Sequence, residues 1–334
     1  MPRPTVPAAG TPATPGANPG AAPEATAPAP SPHGTPRAVP PVDYLFLALA
    51  VSGVAASAPL ISATAAPALA IAFWRNAMAA GVLGPIALLR RPHRTELREL
   101  LTGLLRNGRR DLLLCCLAGL FLAVHFGLWL PSLRMTSVAA STALCTTTPL
   151  WTTLFLRLRG HRAPALTWIG VCLAFGGVLV LTGFDLTVSA RALTGDLMAL
   201  AAGIAAAGYF LIGSRVRRTV STTAYTTVCY STTAVALLLT CLFSGQALAG
   251  YAASDWWKIV GLTVAAQFVG HTLSNRVVGS LGAPLVSTAI LLETPLAAVI
   301  AGFWLGQIPS AAVYPAVAMV LAGLVLVIRA NRSS

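Results

Sequence analysis

HFGLWLPSLRMTSVAASTALCTTTP (residues 125–149) and HTLSNRVVGSLGAPLVSTAILLETP (residues 271–295) are one pattern written twice. At a shift of 146, with no gap, His125 falls on His271, Ser141-Thr142-Ala143 on Ser287-Thr288-Ala289, and Pro149 on Pro295. The register runs outward to Gly160 over Gly306 and Gly177 over Gly323. At a shift of 150, Gly53-Val54-Ala55-Ala56 also falls on Gly203-Ile204-Ala205-Ala206. Ala and Gly are abundant, so the paired His and Pro carry more weight than this second match.

Both copies sit in an apolar ribbon. Charged residues are 9% of the 334-residue chain, against about 25% in soluble domains. Too much apolar surface is present for a wet exterior, so the ribbon belongs in lipid. A membrane helix needs about 20 apolar residues. The apolar runs predict ten spans, about 44–66, 68–90, 112–130, 138–158, 165–183, 195–214, 224–244, 257–277, 284–305 and 311–329. The alternating ten-residue runs of a membrane β-barrel are absent. The expected fold is therefore all-α, with ten transmembrane helices in two five-helix repeats, residues 42–190 and 191–330. Five is odd, so the second copy enters the membrane inverted. Secondary transporters recurrently use such a plan, with the substrate site near the midplane between the halves.

The +13 net charge raises the question of nucleic acid, but its distribution answers it. Arg clusters lie between spans 2 and 3, 4 and 5, and 6 and 7. With Arg276, the C-terminal arginines and those of the N-tail, one side holds 18 of 22 basic residues. The opposite side has Arg134, Arg191 and Lys258, and Arg75 falls inside a span. The positive-inside rule then places both termini in the cytoplasm, in a multi-pass protein of the plasma (inner) membrane. The clusters read as topology and lipid-headgroup contact, with no nucleic acid. Residues 1–41 hold 13 of the 24 prolines and too few apolar groups for a core, so they read as a disordered tail. The six cysteines all fall within spans, with no CxxC pair, and read as small apolar fillers rather than metal ligands or disulfides.

Four ionisable side chains sit well inside spans: Arg75, His125, His271 and Glu293. A charge at the bilayer centre costs about 2.5–3.5 kcal/mol on insertion scales, so such groups face the bundle interior or a wet cavity. Gln267, His271 and Asn275 recur every four residues, which on an α-helix puts them on one face. The matched face of span 3 is Phe121, His125 and Trp129. Both stripes are expected to face a central cavity suited to a ligand with a polar end and a flat or greasy end. The competing reading is that these groups satisfy one another. Each His falls past the middle of its span, about 5–6 Å from the midplane on opposite sides, so each is expected to serve one face of the cavity. Arg75 has Trp74 and Asn76 as neighbours, and its partner is Glu293, helix-end carbonyls or an anionic substrate group. Glu293 lies two residues before Pro295, which frees a carbonyl near Leu291 and loosens the helix there. An apolar setting penalises a carboxylate's charge, which makes Glu293 the candidate proton-coupling group, with permanent pairing to Arg75 as the alternative. Glycine pairs such as Gly81 with Gly84 and Gly176 with Gly177 are expected to allow close helix contact. Thr146, Thr147 and Thr148 either line the cavity or bond back to their own helix.

Three strings in order carry a family likeness: Pro67 with Ala70-Ile71-Ala72-Phe73-Trp74-Arg75, Gly119-Leu120 through Thr136-Ser137-Val138-Ala139-Ala140 to Pro149, and Ala283 through Glu293-Thr294-Pro295 to Gly306. With ten spans and two repeats, the chain resembles the EamA type of the drug/metabolite transporter superfamily over about residues 44–330. The resemblance implies a secondary carrier without ATP, usually an exporter of small metabolites or drugs. It departs from the family where spans 4 and 9 usually end in Gly-Glu. Here the residues are Gly160-His161 and Gly306-Gln307, so no role of those carboxylates carries over.

The partners expected are a small-molecule substrate, protons and the lipid bilayer, with no cofactor. An intramembrane enzyme on a lipid-linked substrate is the alternative, but it needs a nucleophile–base pair or clustered acids. Asp185, Asp196 and Asp255 are well separated, and no HExxH, GxSxG or nucleotide-binding loop occurs. A non-transporting scaffold is the third class.

Overall fold

The computed structural model describes residues 40–103, 108–136, 138–182, 189–305, 311 and 313–332. The tail reading and Gln307 fall outside them. Among the described residues every regular element is a helix. In order they are α1 (Pro41–Ala55), α2 (Ser57–Ser62), α3 (Ala68–Leu89), α4 (Arg91–Thr102), α5 (Gly108–Ser132), α6 (Val138–Cys145), α7 (Thr148–Leu158), α8 (Ala165–Thr182), α9 (Ala190–Val216) and α10 (Thr222–Phe243). Then come α11 (Ala253–Leu262), a π-helical segment (Thr263–Thr272), α12 (Leu273–Leu281), α13 (Ala283–Ile290), α14 (Glu293–Leu305) and α15 (Val313–Arg332).

Five stretches are long and apolar enough to cross a membrane: Pro41–Ser62, Ala68–Leu89, Gly108–Ser132, Ala190–Val216 and Thr222–Phe243. The other apolar runs are shorter or broken. Proline accounts for two matched breaks, because it lacks the N–H a helix interior needs. Thr146 and Thr147 separate α6 from α7 just before Pro149, and Leu291 and Leu292 separate α13 from α14 just before Pro295. Thr146, Thr147 and Thr148 each donate a hydroxyl to the carbonyl three residues back, at 3.0, 2.7 and 3.0 Å, which satisfies backbone the break leaves open.

The main packing pairs each join a helix before residue 183 to one after residue 189: α8 with α15, α5 with α9, α3 with α10, α5 with α10, and α1 with the π segment. Two of these crossings are backbone-close. A Cβ on Gly270 would stand 2.6 Å from Val54 Cγ1, and one on Gly323 would stand 2.7 Å from Ala174 Cβ. Gly177 is a close contact too, with Ala316 O at 2.8 Å from such a Cβ. Gly81 and Gly84 are not, since nothing lies within 4 Å of either. That pair faces outward from the bundle, where spacing alone cannot tell a packed helix face from a bare one.

The arginine-rich stretch after α3 holds a helix of its own. In α4, Leu97 and Leu100 are buried while Arg91, Arg94 and Arg98 are exposed, an amphipathic pattern suited to an interface. Gly103 ends it in the left-handed region (φ 72°), and Glu96 accepts from the Ser221 backbone N–H at 2.6 Å, tying α4 to the start of α10. Gly160 (φ 86°) closes α7 in the same way, with the His161 N–H donating to Leu156 O at 3.0 Å.

The strap between α2 and α3 is clamped by the three basic residues expected on the face away from the Arg clusters. Lys258 Nζ donates to Ala63 O at 2.7 Å, and Arg134 Nη2 donates to Ala66 O at 2.5 Å and Thr64 O at 3.5 Å. The Ala65 N–H donates to Asp255 Oδ1 at 3.2 Å, which also pairs with Lys258 at 3.0 Å. Arg191 holds the Arg134 carbonyl at 3.2 Å. The Lys258 hydrogen bond and then the Ala65 N–H hold the Asp255 carboxyl below its usual range. Its contribution to the clamp is therefore complete above the ordinary carboxylate pKa and is lost only as pH falls through the lowered value. Arg134→Ala is expected to raise amide hydrogen exchange across residues 63–67 by about tenfold, with little change in the buried stretches of α5. Unchanged exchange in the strap would show that the clamp does not hold it.

Candidate functional site

α1, α2, α5, α6, α7, α9, the π segment, α13 and α14 together line a narrow cavity with room for about 50 Å³ of water-sized occupants. One wall is aromatic: His125 and Trp129 on α5, Tyr209 and Phe210 on α9, and His271 on the π segment. The lining also carries hydroxyls, from Ser57, Thr142, Thr146, Thr148 and Ser287. Glu293 is the one acidic residue in the lining. It opens α14, where a helix N-terminus favours negative charge.

The geometry of the aromatic wall is specific. The His125 ring stacks on Trp129, with centroids 5.8 Å apart and planes 20° apart. Its Nδ1 lies 3.1 Å from Ala202 O. A carbonyl can only accept, so the proton is assigned to Nδ1, leaving Nε2 as an acceptor. His271 meets Phe126 edge-on at 5.3 Å and 80°, and Phe126 also lies 4.9 Å from His125. The two histidines thus both contact one phenyl ring and border one cavity. Three polar atoms of the lining are buried with no partner among the described residues: Trp129 Nε1, Thr142 Oγ1 and His271 Nδ1. Buried polar atoms are normally bonded, so these three are suited to a ligand or to water.

The remaining sequence candidates lie behind the wall. Gln267, His271 and Asn275 do not share a face, because residues 263–272 are π-helical. The wider turn of a π-helix breaks the i, i+4 register that an α-helix would keep. Only His271 of the three lines the cavity. Gln267 turns to Arg75, accepting from Nε at 2.9 Å, and donates to Asn76 Oδ1 at 3.0 Å. Asn76 donates in turn to Ala72 O at 2.9 Å. Asn275 accepts from Tyr209 OH at 2.6 Å and donates to Tyr230 OH at 3.2 Å. Phe121 of the other stripe packs its ring against Gly208 on α9. Trp74 lies in a separate aromatic cluster, edge-on to Trp256 at 5.1 Å and donating to Leu248 O at 2.8 Å.

Arg75 is fully buried, its guanidinium 4.3 Å over the Phe126 ring. It makes no ion pair with Glu293: among the described residues the salt bridge is Lys258–Asp255. Spacing did not single out Tyr209, Phe210 or Phe126. Tyr209 and Phe210 were detectable as the only aromatic residues in the Ala- and Gly-rich run 195–214.

A family model described as "EamA-like transporter family" matches twice, over residues 42–183 and 193–329. A solved chain described only as "Crystal structure of protein" is similar in fold, with a TM-score of 0.66 at 21% identity, covering 88% of this chain and 99% of that chain. No curated protein matches.

Proposed function

The chain belongs to the EamA-like transporter family, and from that premise we propose that it is a secondary carrier that exports a small metabolite or drug-like molecule by alternating access. The observation that carries this reading is the cavity. Its lining draws on helices from both matched stretches and holds buried polar atoms that lack partners among the described residues. A site shared by two halves changes its exposure when the halves rock.

The proposed architecture is ten spans, with the halves at 42–190 and 191–330 inverted relative to each other. The packing pairs support it. Moving five spans along the chain turns the α5–α9 pair into the π-segment–α1 pair, while α3–α10 and α8–α15 map onto themselves. A pseudo-two-fold relation produces that pattern. The Arg distribution supports a plasma-membrane protein with both termini in the cytoplasm, and Glu293 is the proposed proton-coupling carboxyl. The substrate pathway is assigned to His125, Trp129, His271 and Glu293 at the cavity wall, with Arg75, Gln267 and Asn76 behind it.

Purified full-length protein in proteoliposomes tests the reading. Loaded against a metabolite panel, it is expected to support saturable counterflow of at least one compound, independent of ATP. Liposomes that stay silent across the panel, with the protein folded and correctly inserted, would sink the carrier reading.

A further inference from the structure

Arg75 Nη1 and Nη2 are buried and have no acceptor among the described residues. A guanidinium stays charged in essentially any protein setting, and leaving charged donors unmet costs more than leaving neutral ones unmet. The rest of the side chain is tightly held. Nε is bonded to Gln267, Gln267 to Asn76, and Asn76 to Ala72 O. The fork is therefore fixed in direction, with its two outer nitrogens open, the arrangement that grips a carboxylate through two parallel hydrogen bonds.

One ring stands between this fork and the cavity. Phe126 is fully buried, lies 4.3 Å from the guanidinium, and touches His125 and His271, both of which line the cavity. We propose that Arg75 is a latent carboxylate site behind Phe126, and that its ligand is a small organic acid with a flat apolar body. The Phe126 ring swings aside as the carboxylate reaches Nη1 and Nη2, and the ligand's flat face takes the phenyl ring's place against the aromatic wall. Glu293 is the cavity's own carboxyl and competes for the same cation. The proposal deepens the carrier reading and rests on it for the route by which a ligand reaches the cavity.

The test uses benzoate and its neutral isostere benzamide on the detergent-purified full chain, at matched ionic strength, read by thermal shift. Wild type is expected to be stabilised by benzoate and not by benzamide. Arg75→Gln is expected to weaken benzoate binding about ten- to a hundredfold, the loss of a charge-assisted pair, and Arg75→Lys to weaken it less. Phe126→Ala and Glu293→Gln keep the cation and are each expected to lower the benzoate concentration needed, which covers the case in which Arg75→Gln does not fold. Equal shifts from benzoate and benzamide in wild type would mean that water alone meets the guanidinium and would overturn the proposal. So would benzoate selectivity that neither Phe126→Ala nor Glu293→Gln alters. Counterflow of another substrate in proteoliposomes reports the carrier reading separately, since it survives a negative benzoate result.

Discussion

Glu293→Gln is expected to abolish uptake driven by a pH gradient in proteoliposomes while leaving substrate exchange at equal pH largely intact. The driven component should fall by about tenfold or more, equivalent to ~1.4 kcal/mol or more of lost coupling. Glu293 is placed for this in three ways. It lines the cavity, so a proton reaches it by the route a substrate takes. It opens α14 immediately after the turn at Leu291 and Leu292 that interrupts the helix. Among the described residues it makes no ion pair with Arg75, so it is not locked to that cation by direct contact. Burial in an apolar wall penalises the ionised form of any carboxyl, which links proton binding to whether the cavity is wet or closed. Gln keeps the size and hydrogen-bonding shape but cannot exchange a proton. If Glu293→Gln transport still follows the pH gradient with wild-type steepness, Glu293 is not the coupling group.

The parts of this arrangement that were legible in the sequence are those that follow from local chemistry. Pro295 marks the break that the sequence placed near Leu291, whereas Pro85 and Pro131 lie inside continuous helices. His125, His271 and Glu293, ionisable groups in an apolar ribbon, do border the cavity. The rest depends on which helices meet. The Gln267–His271–Asn275 spacing gave no sign that residues 263–272 are π-helical, or that Gln267 bonds to Arg75 and Asn76 and Asn275 to Tyr209 and Tyr230. Arg75 had three candidate partners by charge logic. Its actual ones, Gln267 and the Phe126 face, are neutral, and residue charge gives no signal for either. Gly81 and Gly84 look like a packing motif on paper, yet face open space because no helix crosses there. Gly53, found only through the softer repeat match, is the glycine that packs most closely against the element carrying His271.

That position gives the largest structural effect expected beside the cavity. Gly53→Ala should be strongly destabilising, whereas Gly84→Ala, on a neighbouring apolar helix, should be neutral or slightly favourable. The chemistry of the two substitutions is identical, so the contrast isolates packing. A Cβ at Gly53 would press on the Ala265 carbonyl, stand 2.8 Å from the Gly270 N and stand 3.1 Å from Val269 Cβ. Two of these neighbours are backbone atoms, which cannot rotate away. Relief therefore requires α1 and the π segment to separate, and the reciprocal contact of Gly270 with Val54 opens with them. Overpacking a well-filled core costs about 1–3 kcal/mol, and a rigid backbone neighbour puts Gly53→Ala at or above the top of that range. The displaced segment also carries His271 and Gln267, so the cavity wall and the Arg75 anchor shift together. At Gly84 the added methyl meets nothing within 4 Å and only removes backbone freedom from the unfolded chain. Both variants would be heated in the same detergent and the monodisperse fraction followed by size exclusion. Matching melting curves would show that α1 and the π segment are not in backbone contact, and that His271 is not held in the cavity wall by this crossing.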